Sequence, residues 1–212
     1  GGRYQQALDV LHDLREAEVT PNVITYNAAI SACEKCGQWQ RSLVLIDDMR
    51  MAGVTPDVIS CNAVISACKT GRQYNQAFVL FDRMFAACVT PDVISFTVAA
   101  SVCNRDGQWQ RSLLLLNKMQ AAALTPNANS FSATISAREK SRQWEHAVLL
   151  LDEMRLEKLR PDVFSFNSAL AACNQCGQWQ QAIWILNEMW ASGLMPNHVS
   201  ISVAISACEK GG

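Results

Sequence analysis

Apolar residues in this chain recur in short stripes, and each stripe is closed by a polar or proline-bearing loop. Tyr26, Ala29, Ile30 and Cys33 follow the i, i+3, i+4, i+7 spacing of a helix that buries one face. Thirty-five residues later, Cys61, Val64, Ile65 and Cys68 repeat that stripe. Between the two, Trp39, Leu43, Ile46 and Met49 form a stripe of their own, so the pattern predicts two helices per 35 residues. Small residues recur beside the second stripe (Ser42, Ala77, Ser112, Ala147, Ala182), where close helix contact is expected.

The punctuation has the same period. All six prolines, Pro21, Pro56, Pro91, Pro126, Pro161 and Pro196, lie 35 residues apart. Each forbids continuation of the preceding helix. Asn or Asp follows every one (Asn22, Asp57, Asp92, Asn127, Asp162, Asn197), which suits the N-cap of the next helix. Gly37, Gly71, Gly107 and Gly177 are expected to turn the chain between the two helices. Counted from the second residue after each proline, the full repeats are 23–57, 58–92, 93–127, 128–162 and 163–197, with partial repeats at 1–22 and 198–212. A single hairpin of this size cannot bury its stripe, whereas stacked copies can. The expectation is an all-α solenoid of antiparallel helix hairpins forming one repeat array over residues 1–212.

Composition narrows the function classes. Half of the residues are hydrophobic, which is ample for a core, and no apolar run approaches the roughly 18 residues of a membrane span. The chain begins and ends on Gly-Gly and reads as a piece of a longer protein, with no targeting segment in view. Net charge is −1, without the strong basic excess that marks many nucleic-acid binders. Nine cysteines, an odd number scattered through helical segments, argue against a disulfide framework and for a reducing compartment.

The small polar residues are the candidates for chemistry. The fifth slot of each repeat holds Asn27, Asn62, Thr97, Ser132 and Asn167, then Ser202 in the last partial repeat. Such residues cost about 0.5 kcal/mol each in a helix interior relative to Ala, and they lie a full turn inside the helix, too deep to cap it. They either face a ligand or bond along the ladder or back to their own backbone. The last slot holds Asp57, Asp92, Asn127, Asp162 and Asn197; capping alone would select these, and a cap can also border a groove. One turn before the fifth slot, Ile24, Ile59, Ile94, Phe164 and Val199 could sandwich a planar group or pack on the next repeat, and Asn129 breaks their series. Farther along that face come Lys35, Arg105, Lys140 and Lys210, accompanied by Glu34, Glu139 and Glu209, with Lys69 one residue out of register and Gln175 in the fifth copy. Acids gather instead on second helices (Asp47, Asp48, Asp82, Asp152, Glu153, Glu188).

Other chemistry finds no support. Cys33 with Cys36, and Cys173 with Cys176, are C-x-x-C pairs four repeats apart. At roughly 10 Å per packed helix that is on the order of 40 Å, and a zinc ion needs every sulfur at about 2.3 Å. Cys33, Cys68, Cys103, Cys173 and Cys208 share one slot and read as a buried ladder. Trp39, Trp109, Trp144 and Trp179 share another and are expected in the core. His12, His146 and His198 are isolated, and no nucleophile–base arrangement or phosphate loop occurs. The expectation is a non-enzymatic protein with no metal, no cofactor, no small-molecule substrate and no membrane contact.

The repeat resembles the pentatricopeptide repeat family, in its plain 35-residue class. The residues that carry the resemblance are Val-Ile-Thr-Tyr-Asn (23–27), Val-Ile-Ser-Cys-Asn (58–62), Val-Ile-Ser-Phe-Thr (93–97) and Val-Phe-Ser-Phe-Asn (163–167), with the Gly turn, a Met late in the second helix (Met49, Met84, Met119, Met154, Met189) and the closing Pro-Asp or Pro-Asn. Tetratricopeptide repeats, which bind peptides, have a 34-residue period and fit less well. The resemblance covers essentially the whole chain. It implies a right-handed superhelical solenoid and sequence-selective binding of single-stranded RNA, one base per repeat. It implies that fifth and last slots read bases together, as Asn27/Asp57, Asn62/Asp92, Thr97/Asn127, Ser132/Asp162 and Asn167/Asn197. The family's pairing rules then give 5′-U-U-A-G-C-3′, with U an option at the last place. The apolar second-slot residues would sandwich bases, and Lys35, Arg105, Lys140 and Lys210 would meet phosphates. The family is mostly mitochondrial or plastid and acts in RNA processing or stability. A scaffold that binds other proteins in the same groove is the competing expectation.

Overall fold

The computed structural model describes residues 3–106, 108–139 and 143–211, and among them are twelve helices and no strand. First helices of the hairpins are α2 (Val23–Lys35), α4 (Val58–Thr70), α6 (Val93–Asp106), α8 (Ala128–Glu139), α10 (Val163–Gln175) and α12 (His198–Gly211). Second helices are α1 (Arg3–Glu16), α3 (Trp39–Met51), α5 (Tyr74–Ala86), α7 (Trp109–Ala121), α9 (Trp144–Leu156) and α11 (Trp179–Ala191). No described helix is long and apolar enough to cross a membrane. The chain is an all-α helical repeat, as its stripes predict.

Two compact units divide it, Gly1–Ala99 and Ala100–Gly212. In the first, α2 lies beside α4, and each closes a hairpin with the helix that follows it, α3 and α5. In the second, α10 lies between α8 and α12 and packs on α9 and α11. Both units bury the predicted first-helix stripe, with Tyr26, Ile30, Val64, Ile65, Phe131 and Leu170 all at 0% exposure, except in α12, where Ile201, Ile205 and Cys208 are exposed. On second helices the buried face is Leu45, Ile46 and Met49, with Ser42 at the close contact; Leu43, expected in the stripe, is only half-buried.

Helix starts follow the capping chemistry. The Asp57 carboxylate accepts from the Ser60 backbone N–H at 2.8 Å, and the Asp57 N–H donates back to the Ser60 hydroxyl. Asp92 with Ser95, Asn127 with Ser130 and Asn197 with Ser200 repeat this reciprocal box, and Asn22 and Asp162 cap Thr25 and Ser165. The second helices α3, α5, α7, α9 and α11 start at glutamines without any side-chain cap. Their ends close through a left-handed residue: the Val54 N–H reaches back to the Met49 carbonyl at 3.0 Å while Gly53 sits at φ +72°.

The turn glycines need one correction. Gly37 and Gly177 are left-handed, at φ +68° and +66°, but in the second repeat that conformation falls on Arg72, at φ +60°. Gly71 serves a different purpose: a Cβ there would meet Trp39 Cδ1 at 2.2 Å, so the missing side chain seats the indole. Gly107 lies outside the described residues. The tryptophans are corrected too. Trp39, Trp109 and Trp144 are half-buried and Trp179 is 38% exposed, because each starts a second helix, where the hairpin opens to solvent.

Candidate nucleic-acid interface

The fifth-slot residues stand one turn into each first helix, and the last slot caps the next first helix, so the stacking of α2 on α4 brings the two together within the first unit. Asn27 donates through Nδ2 to both carboxylate oxygens of Asp57, at 3.1 and 3.3 Å, across thirty residues of chain. Asn62 donates to Asp92 Oδ1 at 3.2 Å. The pairing of these slots, which spacing alone left open, is a direct contact in both cases.

The third slot, which the sequence reading passed over, holds this arrangement. The Ser60 hydroxyl lies 2.5 Å from Asn27 Oδ1 and 2.8 Å from Asp57 Oδ1, tying the amide to the cap. Ser200 does the same in the second unit, at 2.6 Å from Asn167 Oδ1 and 3.0 Å from Asn197 Oδ1. Ser60, Ser95, Ser165 and Ser200 are fully buried. Their signal was available: Ser or Thr follows the cap at the same interval in every repeat (Thr25, Ser60, Ser95, Ser130, Ser165, Ser200). The Asn62 amide is held at one end only, since its Oδ1 is buried without a hydrogen-bond partner.

Burial alone would push the Asp57 and Asp92 carboxyls up. Hydrogen bonds from the Ser60 and Ser95 backbone and hydroxyls, the Asn27 and Asn62 amides, and the Ile59 and Ile94 N–H groups outweigh it and hold both below the usual carboxylate range. Both are therefore anionic at neutral pH.

The shorter fifth-slot residues behave differently. The Thr97 hydroxyl donates to the Val93 carbonyl at 2.7 Å, and Ser132 to the Ala128 carbonyl at 2.6 Å, so both bond back to their own helix. Ser132 is also 2.6 Å from the Ser165 hydroxyl and only 5% exposed. No direct bond joins Ser132 to Asp162, whose carboxylate takes the Ser165 N–H and hydroxyl. Asn127 caps Ser130.

The second-slot residues are open to solvent: Ile24 is 77% exposed, and Ile59, Ile94, Phe164 and Val199 are exposed with it. In the first unit Ile59 and Ile94 border a groove of about 310 Å³ whose walls also carry Asn27, Asn62, Asp92 and Glu34. Lys35 and Lys210 are exposed, whereas Lys140 and the Arg105 side chain lie outside the described residues.

The cysteine slot holds Cys33, Cys68, Cys103 and Cys173 fully buried, while Cys208 is exposed. Burial pushes the Cys68 thiol up to about 11 and the Cys173 thiol up to about 12. In the C-x-x-C pairs one thiol is buried and the other faces outward, Cys36 being exposed and Cys176 half-buried. Arg138 interrupts the ladder in the fourth repeat: it is 1% exposed, its guanidinium sits 4.8 Å from the Trp109 ring, and its Nε and Nη1 have no hydrogen-bond partner. Among the described residues, His12, Asp13 and Glu16 bring three ligand-type atoms within 4.8 Å of one another on an exposed helix face.

Comparison with known proteins agrees with this reading of the repeat. A model described as PPR repeat family matches residues 21–70 and 161–210, one described as pentatricopeptide repeat domain matches 1–35 and 114–176, and one described as PPR repeat matches 59–88. Among curated proteins none matches. The structure is similar to the crystal structure of the pentatricopeptide repeat protein PPR10 from maize, with a TM-score of 0.67 and 24% identity over 97% of this chain and 29% of that one. It is similar to PPR10 in complex with an 18-nt psaJ RNA element, with a TM-score of 0.59 and 25% identity over 97% of this chain and 34% of that one. The PPR domain of Arabidopsis thaliana protein-only RNase P 1, in complex with tRNA, gives a TM-score of 0.72 and 15% identity over 85% of this chain and 95% of that domain. The chain thus spans about a third of the length of the maize protein. With the 35-residue period, the capped hairpins and these matches together, the chain belongs to the pentatricopeptide repeat family.

Proposed function

We propose that this chain binds single-stranded RNA and reads one base per repeat through its fifth and last slots. The observation that carries the reading is the groove in the first unit. It sets the Asn27 and Asn62 amides, each oriented by an anionic carboxylate, beside the exposed Ile59 and Ile94. An amide has two N–H donors and one acceptor. With one donor engaged by the aspartate, the other remains for the oxygen of a pyrimidine, while the apolar Ile59 and Ile94 side chains can pack against the faces of a base. PPR10, with an 18-nt RNA element, and the PPR domain of RNase P 1, with tRNA, are relatives crystallised with RNA, which favours RNA over protein as the occupant.

The proposed order is 5′-U-U-A-G-C-3′, with U as the alternative last base. The pairs are Asn27/Asp57, Asn62/Asp92, Thr97/Asn127, Ser132/Asp162 and Asn167/Asn197. Lys35, Arg105, Lys140 and Lys210 would meet the backbone. In the fourth repeat the Ser132 hydroxyl is engaged by the Ala128 carbonyl and the Ser165 hydroxyl. No catalytic group is assigned; the role is recognition, within a mitochondrial or plastid factor for RNA processing or stability. A gel shift against this pentamer in a neutral carrier strand, with single-base permutations, tests the order. Equal binding of every permutation, or no binding at low salt, overturns it. Protein partners retained after nuclease treatment, with no dependence on the fifth slot, would establish the scaffold reading instead.

A further inference from the structure

The fourth slot of the first helix carries an aromatic ring in four described repeats: Tyr26, Phe96, Phe131 and Phe166, all 2% exposed or less. The second repeat has Cys61 there, and beside it the first unit holds a cavity of about 300 Å³ walled by Ile46, Leu80 and Met84. At the corresponding place in the second unit stands the buried Phe166, the Arg155 guanidinium lies 5.8 Å from that ring, and Arg155 Nη1 is 2.6 Å from the Glu188 carboxylate. All three positions recur three repeats earlier. Arg50 stands for Arg155, Cys61 for Phe166 and Arg83 for Glu188. Arg50 keeps the intrahelical contact, at 3.2 Å from Asp47, as Arg155 keeps one with Asp152 at 3.7 Å. It has lost both the ring and the second carboxylate, and faces a cavity whose other charged lining residue is Arg83.

Two complementary absences therefore meet in one place: an aromatic volume and an anion. We propose that this cavity binds a small aromatic carboxylate, its ring taking the place that Phe166 fills and its carboxylate bridging Arg50 and Arg83. An apolar cavity of about 150 Å³ is enough to take up benzene, so the space here holds a ring with a short acid chain. Arg50, placed as Arg155 is beside Phe166 and Glu188, would face the ring and share the carboxylate with Arg83, attraction of kinds that a neutral or aliphatic ligand lacks in part. The site lies between the second helices α3 and α5, the loops that follow them and Cys61 of α4, and does not include the base-reading residues.

The probe is 3-phenylpropionate, titrated into the 212-residue chain and followed by amide chemical shifts, with 3-phenylpropanol and hexanoate as controls. Saturable shifts at Val54, Cys61, Leu80 and Met84, with either control at least about tenfold weaker, are expected. C61F fills the cavity and R83E rebuilds the internal ion pair, each copying the residue of the filled site; both should keep the melting temperature or raise it and weaken binding at least about tenfold. RNA affinity should not change in either variant. No saturable binding up to roughly 10 mM, equal binding of a control, or binding that survives C61F overturns the proposal.

Discussion

The Asn27 amide donates to the Asp57 carboxylate at 3.1 Å, although thirty residues separate them in the chain. One residue stands inside a helix and the other caps the next first helix, so this reading head of the proposed interface is shared by two successive first helices. Replacing the carboxylate changes the chemistry without removing the cap, because an Asn side-chain oxygen still accepts from Ser60. D57N converts the first pair to the Asn/Asn combination of the fifth repeat. We expect preference at the first base to move from U toward C, by about tenfold, with the other four positions unchanged in a permutation gel shift. N62T should likewise move preference at the second base only.

The depressed carboxyls make stability depend on acid. Asp57 and Asp92 are held below their unfolded value of about 3.9 by their hydrogen bonds. Their contribution is fully present above that value and is lost as pH falls through the folded pKa. The urea midpoint should therefore drop between pH 5 and pH 3, and the drop should shrink in the D57N/D92N double variant. A pH dependence identical in both proteins would contradict the hydrogen-bonding account.

Arg72 holds a left-handed conformation at φ +60°, where the first and fifth repeats place glycine. An L side chain pays about 1 kcal/mol for that conformation. R72G should raise stability by about 0.5–1 kcal/mol, measured by chemical denaturation.

The neighbouring position predicts the reverse. At Gly71 an added Cβ would lie 2.2 Å from Trp39 Cδ1, so G71A must displace an indole wedged between two hairpins. A loss of about 1–3 kcal/mol is expected, together with a change in Trp fluorescence. Unchanged stability and emission would show that the ring does not depend on this seat.

Arg138 occupies the slot where neighbouring repeats bury Cys103 and Cys173, with two guanidinium nitrogens unpartnered. Burial disfavours its charge. R138M removes the orphan donors and leaves an apolar chain of similar reach. A stability gain of about 1–3 kcal/mol is expected, reduced by the lost contact with the Trp109 ring. A destabilised R138M would assign that guanidinium a partner worth more than its burial.

Periodicity by itself determined most of the fold. Two stripes, a cap and a proline recur at one interval, and helix geometry converts that interval into stacked hairpins with one buried face. The capping aspartates and the exposed second slot were legible for the same local reason: a cap or a helix face depends on residues within a turn or two. What the tertiary structure decided lies between repeats. Asn27 and Asn62 reach carboxylates of the following cap, whereas the Thr97 and Ser132 hydroxyls bond back to their own helices. Third-slot serines proved to be the ties between repeats, and Gly71 a seat for Trp39. The exchange of Phe166 and Glu188 for Cys61 and Arg83 is visible in the sequence as two unrelated changes. Only packing places both beside Arg50 and leaves an open space, because the volume a side chain must fill is set by neighbours 10 to 30 residues away.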